Sequence, residues 1–203
     1  MTTEPPSPEI QRFFAKRVID ALEQLGLPYA IGGSVAAMAY SEGRMTKDID
    51  LMLAADLEKL GQLVETVTAW QIYIAPLESI IENDVPYGLP FNILDGSTGT
   101  RADCYVVRPN GLDVSAMSRR RQRRWDMQTE DEAWFLSPED VILYKLDYFR
   151  QSEGVSQKHP KDILLMLAVI GDQLDLAYIE KWAAEIGVAE VWQAIWDEFQ
   201  KPF

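Results

Sequence analysis

The spacing of apolar residues divides the chain into a mixed first part and a helical second part. From Glu9 to Leu25, apolar residues recur at helical spacing and Gly26 follows, which predicts a helix with a glycine stop. Short apolar runs between turn residues then predict strands, in the segments PYAI, IDLML, QIYIAP, FNILD, RADCYVV and AWFL. From Ser137 the spacing stays helical. We therefore expect a mixed α/β core over residues 1–136 and a C-terminal helical region over 137–203.

Two helix starts carry additional signals. Asp56 precedes an amphipathic run that continues to Trp70, and an aspartate at that position caps free backbone amides. Ser137 is followed by a proline and two acids, the usual order of a serine cap, a first-turn proline and negative charge at the positive helix end. Both helices are therefore predicted with defined N-termini.

The composition is that of an ordinary globular protein that needs no disulfides. Its 203 residues are 47% hydrophobic, enough to bury a core. The sequence has one cysteine, Cys104, which excludes an internal disulfide and favours a reducing compartment. The first residues, MTTEPPSPE, lack the pattern of a signal peptide, and no apolar run reaches the roughly eighteen residues of a membrane span. We expect a cytoplasmic protein without membrane contact.

The charge balance argues against nucleic acid as a general partner, with one local exception. The formal net charge of −13 repels a phosphate backbone. The segment SRRRQRR nevertheless contains five arginines, Arg119, Arg120, Arg121, Arg123 and Arg124. We expect them to form a solvated helix face or to pair with nearby acids; the alternative is that they bind the backbone of an RNA acceptor.

Two aspartates stand in a segment that otherwise predicts a buried strand. Asp48 and Asp50 alternate with Ile49 and Leu51, so both carboxylates share one face while the apolar side chains point into the core. Neighbouring carboxylates repel each other unless a cation joins them, and their oxygens suit Mg²⁺ that also binds substrate phosphates. Taken alone, the pattern also fits the solvated face of an ordinary strand.

A glycine turn and a third acid extend this candidate site. Gly32 and Gly33 let the backbone approach a ligand closely, and the amides of Ser34 and Val35 are placed to hold a phosphate. Asp103 stands within another predicted strand, where it is either a third metal ligand or a salt-bridge partner. If the two strands are neighbours, three carboxylates surround one site. Two metal ions held there would activate a hydroxyl and stabilise a leaving pyrophosphate.

The order of these features along the chain is an apolar residue, Gly-Gly-Ser, a short helix, and then Asp-Ile-Asp on a strand. This order resembles the nucleotidyltransferase superfamily of the polymerase-β type. Thirteen residues separate Ser34 from Asp48. The stretch GRMTKDIDL is similar to the Arg-x-Thr-x-Asp-Ile-Asp of small bacterial AbiEii-type toxins, and SPEDVILYKLDYFR is similar to a lysine-bearing helix of that group. The resemblance spans residues 25–170. It implies an α/β (α+β) nucleotidyltransferase fold, with a small mixed sheet flanked by helices and a C-terminal helical extension.

The resemblance also implies roles for individual residues. The catalytic residues and metal ligands would be Asp48, Asp50 and Asp103, with Mg²⁺ or alternatively Mn²⁺. The triphosphate would be bound by Gly32, Gly33, Ser34 and Lys145. Without the resemblance, Lys145 would be interpreted as a solvated lysine. A further acid of the toxin-like branch is aligned with Asp162.

Three residues beside the aspartates have two interpretations, and the sequence supports both equally. Arg44, Thr46 and Lys47 either help to neutralise phosphate charge on a bound nucleotide or belong to a solvated loop with a capping threonine. The single histidine of the sequence, His159, excludes multi-histidine metal sites and is given no function.

The expected function is transfer of an NMP from an NTP to an acceptor hydroxyl by Mg²⁺-dependent two-metal catalysis. The acceptor stays open between an RNA end, a protein and a small molecule. The alternative is a non-catalytic nucleotide-binding or protein-interaction member of a toxin–antitoxin or phage-defence module, which a position of Asp103 outside the site would favour. A purely structural α/β domain would leave the three acids scattered.

Overall fold

The computed structural model describes residues 6–41, 48–124 and 131–201. Its strands are β1 (Tyr29–Ile31), β2 (Asp48–Leu53), β3 (Tyr73–Ile74), β4 (Phe91–Asp95), β5 (Thr100–Val106), β6 (Arg121–Arg124) and β7 (Glu132–Phe135). Its α-helices are α1 (Pro8–Gln24), α2 (Gly33–Met38), α3 (Leu57–Thr68), α4 (Leu77–Ser79), α5 (Leu112–Arg119), α6 (Pro138–Gln151), α7 (Lys158–Ile170), α8 (Leu176–Glu185) and α9 (Ala189–Phe199). The predicted α/β class, a mixed sheet flanked by helices, is confirmed.

The strands form one seven-stranded sheet in the order β3-β4-β5-β2-β1-β7-β6. Strand β2 pairs with β5 in parallel, β1 pairs with β7 in parallel, and the remaining pairs are antiparallel. The two predicted acid-bearing strands are therefore direct neighbours near the middle of the sheet. This pairing is what brings the candidate site residues together.

Burial follows the alternation that the sequence predicts for β2. Ile49 and Leu51 are buried in the core, whereas Asp48 and Asp50 on the opposite face are only partly buried. A single buried apolar cluster joins the sheet to the flanking helices. The carboxylates of β2 therefore face a surface of the sheet that the core does not fill.

Both predicted helix caps are confirmed. The carboxylate of Asp56 accepts a hydrogen bond from the amide of Lys59 at 2.8 Å, at the start of α3. The hydroxyl of Ser137 accepts one from the amide of Asp140 at 3.3 Å, at the start of α6. Helix α6 therefore begins directly after β7, and its middle turns pass over the acid-bearing face.

The helix-face interpretation of the arginine segment is wrong for its second half. Helix α5 ends at Arg119, and Arg121–Arg124 form the edge strand β6, whose four residues are all exposed. The reason is tertiary, because each of these residues pairs with one residue of β7. No pattern in the sequence predicted α5 or the helical turns of Ile80–Asp84 and Val85–Tyr87.

After β7 the chain is helical, with α6 packed against α7, α8 and α9. The predicted boundary at residue 136 falls between β7 and α6, and the division into a core and an extension stays a prediction. Among the described residues, no helix is both long enough and apolar enough to cross a membrane.

Candidate active site

Four charged residues form a two-by-two array on one face of the sheet. Asp50 on β2 lies directly opposite Asp103 on β5, and Asp48 lies opposite Arg101. Because side chains alternate along each strand, all four point to the same side. The sequence predicted the three acids of this array but not the arginine, although Arg101 shares the alternation of Asp103.

Arg101 connects the carboxylates of Asp48 and Asp103, which lie diagonally across the array. Its Nη2 donates a hydrogen bond to Oδ2 of Asp48 at 2.9 Å, and its Nε lies 2.8 Å from Oδ1 of Asp103. The second contact is an ion pair. Asp103 Oδ1 also accepts a hydrogen bond from the side-chain amide of Asn92 on β4 at 2.6 Å.

Negative charge on Asp50 and on the facing Asp103 is unfavourable. Burial and the nearby Asp103 carboxylate raise the pKa of Asp50 to about 6, and the ammonium of Lys145 opposes this rise. The pKa of Asp103 is also raised, chiefly by burial, while the Arg101 guanidinium opposes the rise. A cation placed between these carboxylates would therefore stabilise the array.

Gly33 lies against the carboxylate of Asp50. A Cβ at this position would lie 1.8 Å from Oδ2 of Asp50, and the glycine has a left-handed φ of +58°. The amide of Gly32 also donates to the backbone carbonyl of Asp50 at 2.8 Å. The Gly-Gly-Ser turn and the acidic strand are therefore packed together as one unit, with Ser34 at the start of α2.

These residues line a cleft of about 480 Å³ between the sheet and the helices α6 and α7. That volume suits a small-molecule ligand. The acids, the glycine turn and Arg101 lie on one side of the cleft, and Lys145, Lys158 and His159 lie on the helical side. The cleft thus combines carboxylates with several cationic groups.

Lys145 faces the cleft from α6 but is held by another residue. It is buried, and its Nζ donates to Oδ2 of Asp162 on α7 at 2.7 Å. Asp162 is buried as well, so the two charges form an interior ion pair that joins α6 and α7. The aspartate that the resemblance aligns with a further acid therefore anchors the lysine.

An aromatic wall of the cleft was not predicted from the sequence. The ring of His159 stacks on Tyr148, with centroids 6.0 Å apart and an interplanar angle of 18°. Tyr148 also meets Tyr105 of β5 edge-on. A second cavity of about 230 Å³ shares Asp50 with the cleft and is lined by four tyrosines, Tyr87, Tyr105, Tyr144 and Tyr148.

The structure does not bring every predicted residue into the site. Arg44, Thr46 and Lys47 lie outside the described residues, and their part in phosphate binding stays a prediction. Of the arginine segment, Arg119 binds Glu139 at 3.0 Å and stacks on the ring of Tyr178.

The other arginines of the segment also lie away from the cleft. Arg120 donates to a backbone carbonyl and stacks on Trp134, and Arg123 stacks on Tyr40. None of the five arginines lines the cleft that holds the acids. An RNA contact through these residues is therefore spatially separate from the candidate site.

The carboxylate oxygens of the site are ligands that a hard metal ion prefers, but they are not arranged around an open metal position. Among the described residues, no group of three or more His, Cys, Asp or Glu side chains is close enough together to hold a metal ion. The guanidinium of Arg101 contacts both Asp48 and Asp103, at 2.9 and 2.8 Å. The potential ligands are all oxygen atoms, and the pKa of Asp50 is raised. Both features fit Mg²⁺, so the residues present are compatible with a bound magnesium ion.

No family model matches the sequence, and the comparison with curated proteins finds no match. Solved structures resemble the fold. The solution structure of the antibiotic-resistance factor ANT(2'')-Ia has a TM-score of 0.60, with 20% sequence identity over 88% of this chain and 96% of that chain. The lincomycin-bound lincosamide antibiotic adenylyltransferase LnuA has a TM-score of 0.54, with 13% identity over 81% of this chain and 99% of that chain.

A third structure is similar over a smaller part of its length. An antigenic nucleotidyltransferase-like protein from Paracoccidioides brasiliensis has a TM-score of 0.53, with 17% identity over 81% of this chain and 78% of that chain. These similarities show that the chain has the nucleotidyltransferase fold. The narrower resemblance to AbiEii-type toxins stays a prediction.

Proposed function

We propose that this chain, which has the nucleotidyltransferase fold, is a polymerase-β-type enzyme that transfers an NMP from an NTP to an acceptor hydroxyl. One observation carries the proposal. Asp50 lies opposite Asp103 on the neighbouring parallel strand, and Gly33 packs directly against the Asp50 carboxylate. Metal-ligating oxygens and a close-approach glycine turn are therefore parts of a single cleft, as transfer of a phosphate-bearing group requires.

Asp48, Asp50 and Asp103 are the residues that would hold Mg²⁺. When bound, Mg²⁺ supplies positive charge to the triphosphate and to the departing pyrophosphate. The open face of the Gly33–Ser34 turn receives the phosphates through backbone amides. On the opposite wall, the ammonium of Lys145 adds charge, and its ion pair with Asp162 fixes its position.

In the proposed reaction, the acceptor oxygen forms a bond to the α-phosphorus while the bond between that phosphorus and the bridging oxygen to the β-phosphate breaks. Asp103, which lies opposite Asp50 on the neighbouring strand, accepts the hydroxyl proton. Asn92 orients the carboxylate through its hydrogen bond to Oδ1. The products are the nucleotidylated acceptor and pyrophosphate.

For the acceptor we propose a small hydroxyl-bearing molecule. The structurally similar ANT(2'')-Ia has been crystallised with adenylyl-2''-tobramycin, and LnuA is described as a lincosamide antibiotic adenylyltransferase. The net charge of −13 opposes a polyanionic acceptor. The tyrosine-lined cavity that shares Asp50 with the cleft offers space for the organic part of a small substrate.

The test is incubation of the protein with each α-³²P-labelled NTP, Mg²⁺ and one of three acceptor pools. The pools are hydroxyl-bearing small molecules, total RNA and soluble cell protein. We expect label in the small-molecule pool with release of pyrophosphate, and loss of both in Asp50→Asn. The matched control is Asp20→Asn, a partly exposed aspartate that pairs with Lys16 on α1 and should keep full transfer.

Two results contradict the proposal. Transfer that persists in Asp50→Asn would remove the carboxylate from the chemistry. Absence of transfer and of pyrophosphate release with every NTP and every pool would favour a non-catalytic member instead. Label confined to the RNA or protein pool would keep the reaction and overturn only the acceptor class.

A further inference from the structure

We propose that Arg101 is an internal counter-ion of the site, which closes the carboxylates against metal and must leave them when metal and nucleotide bind. The inference rests on the proposed function, since it takes Asp48 and Asp103 as metal ligands. It adds a residue that couples the two binding events. The positions of four side chains and their unequal contacts support it.

The guanidinium occupies the place where a shared cation would bind. Its contacts at 2.9 Å to Asp48 and 2.8 Å to Asp103 join two diagonal corners of the array. Asp50 is at the remaining acidic corner, opposite Asp103, and the two ion pairs of Arg101 go to the other two acids. Arg101 thus neutralises the acids of the array only in part.

The contacts of Arg101 are those of a group that can be displaced. The side chain is 42% exposed, and its two ion pairs go to two different strands of the sheet. Arg108 provides the contrast within the same chain, because its Nε and Nη2 both donate to the carboxylate of Asp113, as a two-point fork. Arg101 instead contacts two different carboxylates through one nitrogen each, so neither carboxylate holds it by a fork.

Displacement has a consequence for the nucleotide. A divalent ion held by the three carboxylates would repel the guanidinium of Arg101, which is partly exposed and lines the cleft. A triphosphate bound in the cleft offers it new negative partners. Metal and nucleotide should therefore bind cooperatively, and the cooperativity should depend on Arg101.

The experiment measures Mn²⁺ binding by electron paramagnetic resonance, without nucleotide and then with a saturating ATP analogue that has a methylene group between the α- and β-phosphorus atoms. The variants are Arg101→Gln and Arg101→Lys. The control is Arg17→Gln, which makes the same charge change at an arginine stacked on Trp70, away from the cleft. Thermal unfolding of each variant establishes that it is folded.

Without nucleotide, we expect Arg101→Gln to bind Mn²⁺ about tenfold more tightly than the wild type, because no internal cation competes. Arg101→Lys should lie between them, and Arg17→Gln should match the wild type. Adding the analogue should tighten Mn²⁺ binding strongly in the wild type and much less in Arg101→Gln.

The remaining outcomes separate this inference from the proposed function. If wild type and Arg101→Gln bind Mn²⁺ equally, and Asp50→Asn abolishes the binding, the metal site stands and the role of Arg101 is overturned. Asp50→Asn is also introduced into the wild type and into Arg101→Gln. If Mn²⁺ binding is unchanged in both, the proposed metal site fails, and the inference fails with it.

Discussion

Gly33 and Asp50 are in such close contact that any side chain at position 33 would displace the carboxylate. A Cβ there would lie 1.8 Å from Oδ2 and 2.5 Å from Cγ of Asp50. The glycine is therefore required for two reasons, its φ of +58° and the space that Asp50 fills. The same contact makes the turn sensitive to whatever moves the aspartate.

Replacing Gly33 with alanine should cost more than backbone strain alone. We expect Gly33→Ala to lower the free energy of unfolding by about 2–4 kcal/mol and to abolish nucleotidyl transfer, because Asp50 must move. The control is Gly26→Ala, at a glycine whose φ of +59° is nearly the same but which has no atom within 4 Å of the added Cβ. It should cost about 1 kcal/mol and leave transfer intact.

Urea denaturation and the transfer assay would measure both effects. Equal losses of stability in the two variants would mean that the contact between Gly33 and Asp50 is relieved without cost. Such a result would remove the steric link between the turn and the acidic strand.

The pKa of Asp50 predicts how stability depends on pH in metal-free buffer. The native pKa is raised from its ordinary value of 3.8 to about 6, so between these values the native state binds more protons than the unfolded state. The stabilisation is complete below pH 3.8 and is lost as the pH rises through about 6. Asp50→Asn should remove this loss and be about 1–3 kcal/mol more stable than the wild type at about pH 7.5.

Chemical denaturation in EDTA at several pH values between about 4 and 8 checks this, with Asp20→Asn as the control that should keep the wild-type pH profile. A wild-type protein whose contribution from Asp50 does not weaken over this range would contradict the assigned burial and repulsion. So would an Asp50→Asn variant that is less stable than the wild type at the alkaline end of the range.

The ion pair between Lys145 and Asp162 should be needed for folding as well as for phosphate binding. Removing one partner leaves a buried charge, so Lys145→Met and Asp162→Asn should each cost about 3 kcal/mol. The double variant should cost less than the sum of the two. The exposed pair of Lys16 and Asp20 is the control, where the same substitutions should change stability by less than about 1 kcal/mol.

Denaturation of the wild type and the three variants in each cycle gives the coupling energies. Small and additive effects at Lys145 and Asp162 would show that the buried pair is not the anchor of the α6–α7 junction.

The sequence predicted the acidic strands because alternation is a local property. Asp48 and Asp50 had to share a face once β2 was recognised. Asp103 was a candidate only because it stands in another predicted strand, and its position beside Asp50 depends on the pairing of the two strands. The pairing of β2 with β5 does not follow from either strand alone, and the structure supplies it. The glycine turn was likewise identified from its neighbours along the chain.

The residues that the sequence did not reveal depend on contacts across the fold. Arg101 bridges two acids only because the register places it opposite Asp48. His159 reaches the cleft because α7 packs on α6, which no local pattern announces. The edge strand β6 exists because β7 pairs with it, and this pairing overrides the charge repulsion of consecutive arginines.

The central claim is that the glycine turn and the three aspartates form one metal and triphosphate site. A crystal structure with Mn²⁺ and the methylene-bridged ATP analogue tests it directly, since anomalous scattering locates the metal. We predict manganese on Asp48, Asp50 and Asp103, phosphates at the Gly33–Ser34 amides, and Arg101 turned away from Asp48 and Asp103. Manganese or triphosphate bound elsewhere, with Arg101 still between Asp48 and Asp103, would contradict the claim.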